Sequence, residues 1–156
     1  MTLVVFAFLI TFVAQGYKVY GSCMEPNLHT GDRLLGNKFV YRFERPTRGD
    51  IIVFRYPPSP GKIFVKRIIG LPGEIVEIRD EKVYVNDQPL DERLYLKTTT
   101  HGNLPPTKIP EGCVFVLGDN RDESNDSRFW GELPVDNIQA KAWLRYWPVL
   151  RLRVFQ

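Results

Sequence analysis

From Gln15-Gly16 onward the chain is a succession of short apolar runs broken by turn residues, and nowhere does a helical period persist. This one pattern excludes most folds. Strands are expected at Tyr17–Tyr20, Arg33–Phe43, Asp50–Tyr56, Lys62–Ile69, Glu74–Arg79, Lys82–Val85, Cys113–Leu117, Gln139–Trp147 and Leu150–Phe155. The punctuation between them is Gly31-Asp32, Arg48-Gly49, "PPSPG" at 57–61, Pro72-Gly73, Asn86-Asp87 and Pro105-Pro106. Strands at this spacing point to an all-β fold, a mixed barrel or sandwich. "EIVEIRDEKVYV", residues 74–85, alternates apolar and polar on both sides of Asp80-Glu81 and is expected to form a hairpin, although glycine is missing from its turn. Residues 88–108 are polar and aperiodic. They are expected to be a surface excursion that adds little to the core.

The 156 residues, 44% of them apolar, suffice for one core and are short for two. The first residues differ in kind, since Thr2–Ala14, "TLVVFAFLITFVA", carries no charge. As a helix this run would measure roughly 20 Å, against about 30 Å of bilayer hydrocarbon. It reads as the end of a membrane anchor (residues 1–15) ahead of a β-rich domain (16–156), with a buried core helix or the apolar part of a cleavable leader as the alternatives.

A net charge of +3, spread without a long basic run, does not favour nucleic acid as a partner. Cys23 and Cys113, 90 residues apart, form no CxxC motif, and His29 and His101 have no partners at ligand spacing. No metal or organic cofactor is implied. A Cys23–Cys113 disulfide is disfavoured because Cys113 heads an apolar strand.

Two polar stretches stand out. In "VKRIIGLPGE", residues 65–74, Lys66 and Arg67 are adjacent in an otherwise apolar strand. Neighbouring strand residues face opposite sides, so at least one cation enters the interior or a cleft, unless this is an edge strand with two snorkelling side chains. Lys66 shares a face with Phe64 and Ile68, and Arg67 shares one with Val65 and Ile69. In "GDNRDESNDSRFWG", residues 118–131, side chains rich in hydrogen-bonding groups crowd a loop that leaves the apolar run "CVFVL". Such a loop either braces itself or displays chemistry, and the spacing of a calcium-binding EF-hand is absent.

Together with "GSCMEPNL", residues 21–28, these stretches resemble in order the motifs of the type I signal peptidases, the membrane-anchored proteases that remove signal sequences. The family's Ser-Met-x-Pro motif stands here as Cys23-Met24-Glu25-Pro26, with Gly31-Asp32 after it. Its Arg-Gly-Asp motif matches Arg48–Phe54, its lysine motif matches "VKRIIGLPG", and its final motif matches Gly118–Arg128 with every spacing kept. The closing "AWLRYWP" is similar as well. The resemblance implies a signal-peptidase-like fold and an endopeptidase that cuts preproteins after small residues. It also implies a membrane-anchored location with the catalytic domain on the extracytoplasmic side, and signal peptides and membrane lipid as partners.

Carried over by position, Cys23 is the nucleophile and Lys66 the general base. Ser124 is expected to hydrogen-bond the Lys66 amine, Arg67 to pair with Asp119, and Asp126 and Arg128 to brace the loop. Met24, Leu28, Phe64 and Val65 are expected to line the pocket next to the scissile bond, and Val19, Leu34 and Val53 the pocket two residues back. The substrate would add as an extended strand between Tyr17–Tyr20 and Lys62–Val65. A lysine acts as base only as the uncharged amine. Against an ordinary lysine pKa of about 10.4, the site must therefore disfavour the ammonium, and burial on the Phe64 face is the available means.

Cysteine in place of serine is the departure of greatest consequence. A thiol is a good nucleophile, yet its longer bond displaces the attacking atom in a site built for oxygen. An attenuated or silenced peptidase, an active thiol peptidase and a non-cleaving peptide-binding homologue all stay open, as does a soluble self-cleaving repressor-type protease. The second oxyanion donor is also open: Gly21 stands where some members carry a hydroxyl, and Ser22 is its neighbour. Asn27 replaces the family's usual threonine.

Overall fold

The computed structural model describes residues 1–156, the side chains of residues 6, 9 and 10 apart. Helix α1 (Thr2–Val13) leads directly into β1 (Ala14–Lys18), β2 (Arg33–Asn37), the short helix α2 (Val40–Phe43), β3 (Ile51–Arg55) and β4 (Ile63–Gly70). Then come β5 (Ile75–Arg79), β6 (Lys82–Val85), β7 (Gln88–Pro89), β8 (Leu104–Lys108) and β9 (Cys113–Leu117). The chain closes with α3 (Ser127–Trp130), β10 (Leu133–Pro134), β11 (Ile138–Trp147) and β12 (Arg153–Val154). No helix among the described residues is long and apolar enough to cross a membrane.

All strand pairs are antiparallel. One eight-stranded sheet runs β1-β2-β11-β3-β4-β9-β10, with β12 on β11, and a four-stranded sheet runs β7-β6-β5-β8. The all-β class is as expected, but neither sheet closes into a barrel. The small sheet encloses Val76, Ile78 and Val83 with Ile109, Phe115 and Leu117. The large sheet carries one cluster around Met24, Leu28, Leu34 and Ile51, and another around Ile52, Phe54, Ile68 and Val116. Ile51 and Ile52 thus serve different clusters, as the two-residue strand period requires.

The hairpin of β5 and β6 forms with both turn residues left-handed, Asp80 at φ 49° and Glu81 at φ 59°. That is the geometry a two-residue loop needs to match strand twist, here met without glycine. Two expectations are corrected. The strand expected over Arg33–Phe43 ends at Asn37, whose side-chain oxygen accepts from the N–H groups of Phe39 (2.9 Å) and Val40 (3.1 Å) and turns the chain into α2. The excursion 88–108 is structural as well: β8 pairs with β5, and Leu90, Tyr95 and Leu104 pack against the small-sheet cluster.

Pairing along β4 is uneven, and the site depends on it. β3 pairs with β4 from Ile63 to Arg67, whereas β9 pairs only from Arg67 onward. Lys62 O and Ile68 N bond toward the β3 side, so the alternating ladder turns the N–H and C=O of Ile63 and Val65 the other way, onto an unpaired edge. Similarly, Val19 bonds to Gly31 and Asp32 beyond β1, which leaves Lys18 and Tyr20 facing outward.

Candidate active site

A groove of about 740 Å³ lies between these two open edges. Its walls include Tyr17–Cys23 on one side and Ile63–Lys66 on the other, with Val53, Glu123 and Asn125. Cys23 sits at the unpaired stretch of β4. Its Sγ is 2.9 Å from Lys66 Nζ and 3.7 Å from Val65 O, and Lys66 Nζ also donates to Val65 O at 3.1 Å. Lys66 is 3% exposed, and its amine lies 5.0 Å from the centre of the Phe64 ring. Among the described residues no carboxylate comes within ion-pair distance of that amine. The strand therefore delivers the amine and the apolar wall, and the missing segment of β9 leaves room for the sulfur.

The loop after β9 fixes the backbone of the cysteine. Asn120 N donates to Cys23 O (2.9 Å) and Asn120 Nδ2 to Ser22 O (3.2 Å), while the Ser22 hydroxyl donates to Glu123 Oε2 (2.7 Å). The Ser22 hydroxyl is thus already committed to Glu123. The Cys23 N–H has no acceptor among the described residues.

Asp126 receives Gly118 N at 3.0 Å and caps α3, and Arg128 grips both its carboxylate oxygens (2.9 and 3.0 Å) while reaching Arg121 O (2.7 Å). Ser127 Oγ accepts from Val116 N at 3.0 Å. A Cβ on Gly118 would stand 2.2 Å from Ser124 Oγ and 2.5 Å from Cys23 O. Because the second of these is backbone, Gly118→Ala is expected to destabilise the fold by about 1–3 kcal/mol through overpacking and to displace the cysteine. Thermal unfolding and the rate of thiol alkylation check both effects, and a variant with wild-type values in each would contradict this packing.

On the opposite face of β4, Arg67 forms a bidentate pair with Asp119 (Nε–Oδ1 2.8 Å, Nη2–Oδ2 2.7 Å) and donates to Gly49 O (2.8 Å). Arg48, next to Gly49, gives both terminal nitrogens to Glu74 at 2.7 Å. Burial pushes the Glu74 carboxyl up, but the hydrogen bonds from Arg48 and Leu71 N outweigh it and hold the group below the usual carboxylate range. Asn27, the departure at the threonine position, donates to Asp119 Oδ2 (2.9 Å) and Tyr95 O (2.7 Å), tying the Cys23 turn to the ion pair.

Several expected roles are not met. The Ser124 hydroxyl makes no hydrogen bond; it is buried and packs over Gly118, while the amine's contacts go to Cys23 Sγ and Val65 O. Of the seven pocket residues, Val19, Val53, Phe64 and Val65 line the groove. Met24, Leu28 and Leu34 are wholly buried behind it in the core cluster: the Met-Glu-Pro turn folds the first two inward, and Leu34 lies on the buried face of β2. Three residues went unrecognised in the sequence. Asn120 lay within a stretch whose polarity was evident, whereas Glu92 and Thr100, which hold the buried Arg121, carry no local signal because their contacts span 29 and 21 residues.

Comparison with known proteins gives the family of the chain. The family model "Signal peptidase, peptidase S26" matches residues 1–147. Signal peptidase I of Leptolyngbya laminosa is 44% identical over 149 residues, covering 91% of this chain and 73% of the relative. A Synechocystis protein named "Probable signal peptidase I-1" is 43% identical over 160 residues, covering 97% and 81%. The crystal structure of a signal peptidase I from Enterococcus faecalis superposes with a TM-score of 0.55 at 33% identity, covering 63% of this chain and 97% of that one. On the family match over residues 1–147 and on these relatives, the chain belongs to the signal peptidase family, peptidase S26.

Proposed function

We propose that the chain removes signal peptides from preproteins with a thiol–amine dyad in which Cys23 is the nucleophile and Lys66 the general base. The carrying observation is the 2.9 Å contact between Cys23 Sγ and the buried Lys66 Nζ at the floor of the groove. The amine takes the thiol proton as sulfur attacks the scissile carbonyl, and returns it to the departing amine. The free Cys23 N–H donates to the developing oxyanion. The Phe64 face and Val65 O hold the Lys66 amine in place beside the Cys23 sulfur.

Substrate enters as an extended strand that bonds to the open edges at Lys18 and Tyr20 and at Ile63 and Val65. Phe64 and Val65 bound the space for an alanine-sized side chain next to the cut, and Val19 and Val53 that for the side chain two residues back. Helix α1 would hold this groove at the membrane surface, with the β-rich domain on the extracytoplasmic side.

The sulfur is slower than an oxygen in the same place. A misplacement approaching 1 Å costs on the order of 100-fold, so Cys23→Ser is expected to raise kcat/KM on a preprotein with an Ala-x-Ala site by up to about that factor, and Cys23→Ala to abolish cleavage. Cleavage assays in detergent decide it: no turnover by either the wild type or the serine variant would leave a peptide-binding homologue. Ser124→Ala is a second check. Its hydroxyl is buried without a partner, so its removal should leave stability within about 0.5 kcal/mol. Turnover should still fall, by about 10-fold or more, because during proton transfer the hydroxyl turns to the charged amine. An unchanged rate would restrict Ser124 to packing.

A further inference from the structure

Sulfur in this position brings a chemistry that oxygen would not. The Cys23 thiol is half-buried at the floor of the groove, where small solutes reach it, and its contact with Lys66 Nζ is already 2.9 Å. That amine is held in place by Val65 O, is 3% exposed, and is paired with no carboxylate among the described residues. The other thiol is not at hand: Cys113, on β9, packs against the small-sheet cluster, while Cys23 packs against the Met24–Leu28 cluster of the large sheet. An oxidised sulfur at position 23 therefore finds an amine, and not a thiol, as its nearest nucleophile.

We propose that Cys23 and Lys66 form a peroxide-sensitive covalent switch, in which oxidised sulfur condenses with the lysine amine to make a reversible S–N bond. In the first step the sulfur attacks hydrogen peroxide, the O–O bond breaks, and Cys23 becomes a sulfenic acid as one water is released. In the second the Lys66 nitrogen attacks that sulfur, the S–O bond breaks, and the hydroxyl leaves as a second water with a proton from the amine. Sulfur gives up two electrons and peroxide accepts them. The product is a secondary sulfenamide, the side-chain counterpart of the backbone condensation known for sulfenic acids. A small dithiol reverses it: one thiol attacks the sulfur and releases the amine, and the second closes its own disulfide to free the Cys23 thiol. The bond occupies both members of the dyad at once, and it stops the sulfur short of the sulfinic acid, from which thiols do not recover it.

The switch shares the thiol–amine contact with the function proposed above but not its action on peptides, so the two are tested apart. The full chain in detergent is treated with hydrogen peroxide, its free thiols are blocked with iodoacetamide, and it is digested with trypsin for mass spectrometry. A peptide joining residues 19–33 to residues 63–67, lighter by two hydrogens than their sum and lost on treatment with dithiothreitol, is the expected product. Trypsin no longer cuts after the modified Lys66. Lys66→Ala, shown to be folded by circular dichroism, should instead accumulate a Cys23 sulfinic acid that dithiothreitol does not reverse. Wild-type protein that yields that sulfinic acid, or a Cys23–Cys113 disulfide, with an unmodified Lys66 overturns the proposal without need of a variant. A cross-link in protein that cleaves no preprotein sustains the switch and removes the peptidase chemistry, and cleavage without a cross-link does the reverse.

Discussion

Lys66→Ala is expected to lower kcat/KM on a preprotein by about 10²–10⁴-fold, the usual contribution of a positioned general base. The amine is the only basic group in contact with Cys23 Sγ among the described residues, so nothing nearby can take over its proton. Because Lys66 is almost wholly buried, the loss must be separated from a loss of fold. Thermal unfolding should show the variant folded at the assay temperature, and alkylation of Cys23 by iodoacetamide should slow, because the thiol loses its base. Cleavage within a few-fold of wild type in folded protein would remove Lys66 from the mechanism and with it the dyad.

The largest stability effect is expected at Asp119. Its carboxylate is fully buried, accepts two hydrogen bonds from Arg67 and one from Asn27, and belongs to the same loop that holds the Cys23 carbonyl. Asp119→Ala leaves the Arg67 guanidinium buried with Gly49 O and the face of the Tyr95 ring, 4.2 Å away, for company. Breaking a buried pair from one side costs about 3–5 kcal/mol. For a chain of this length that corresponds to a fall in Tm of roughly 6–20 °C. Asp119→Asn, which keeps the shape and part of the hydrogen bonding, should fall between the two. A Tm change in Asp119→Ala below about 2 °C would mean that the pair is not closed in solution.

The outcome at each position follows how local its cause is. The β5–β6 hairpin was legible because alternation and a two-residue break lie within twelve consecutive residues, and left-handed Asp80 and Glu81 show that pattern prevailing over turn preference. Lys66 and Arg67 were placed on opposite faces by the strand period alone, and that is where the structure has them, one at the thiol and the other at Asp119. The sequence could not show where β4 loses its neighbour, because that depends on β9 pairing from Arg67 onward, a register set fifty residues away. Met24, Leu28 and Leu34 were misplaced for a related reason. Their apolar character fits a pocket wall and a core equally; the course of the turn after Cys23 sends Met24 and Leu28 inward, and the face of β2 buries Leu34. Ser124 was located by motif spacing, yet its bonding depends on the side-chain direction of a residue 58 positions away.

The uneven pairing of β4 also bears on self-association through sheet edges. An exposed sheet edge is ordinarily a template on which further chains can stack without end. Here the open edges of β1 and β4 border the same cleft, so a guest strand bonded to both would offer no fresh ladder to a successor. Occupancy of the cleft would then end at one strand, and the unpaired amides of this pair of edges would be filled without seeding a fibre.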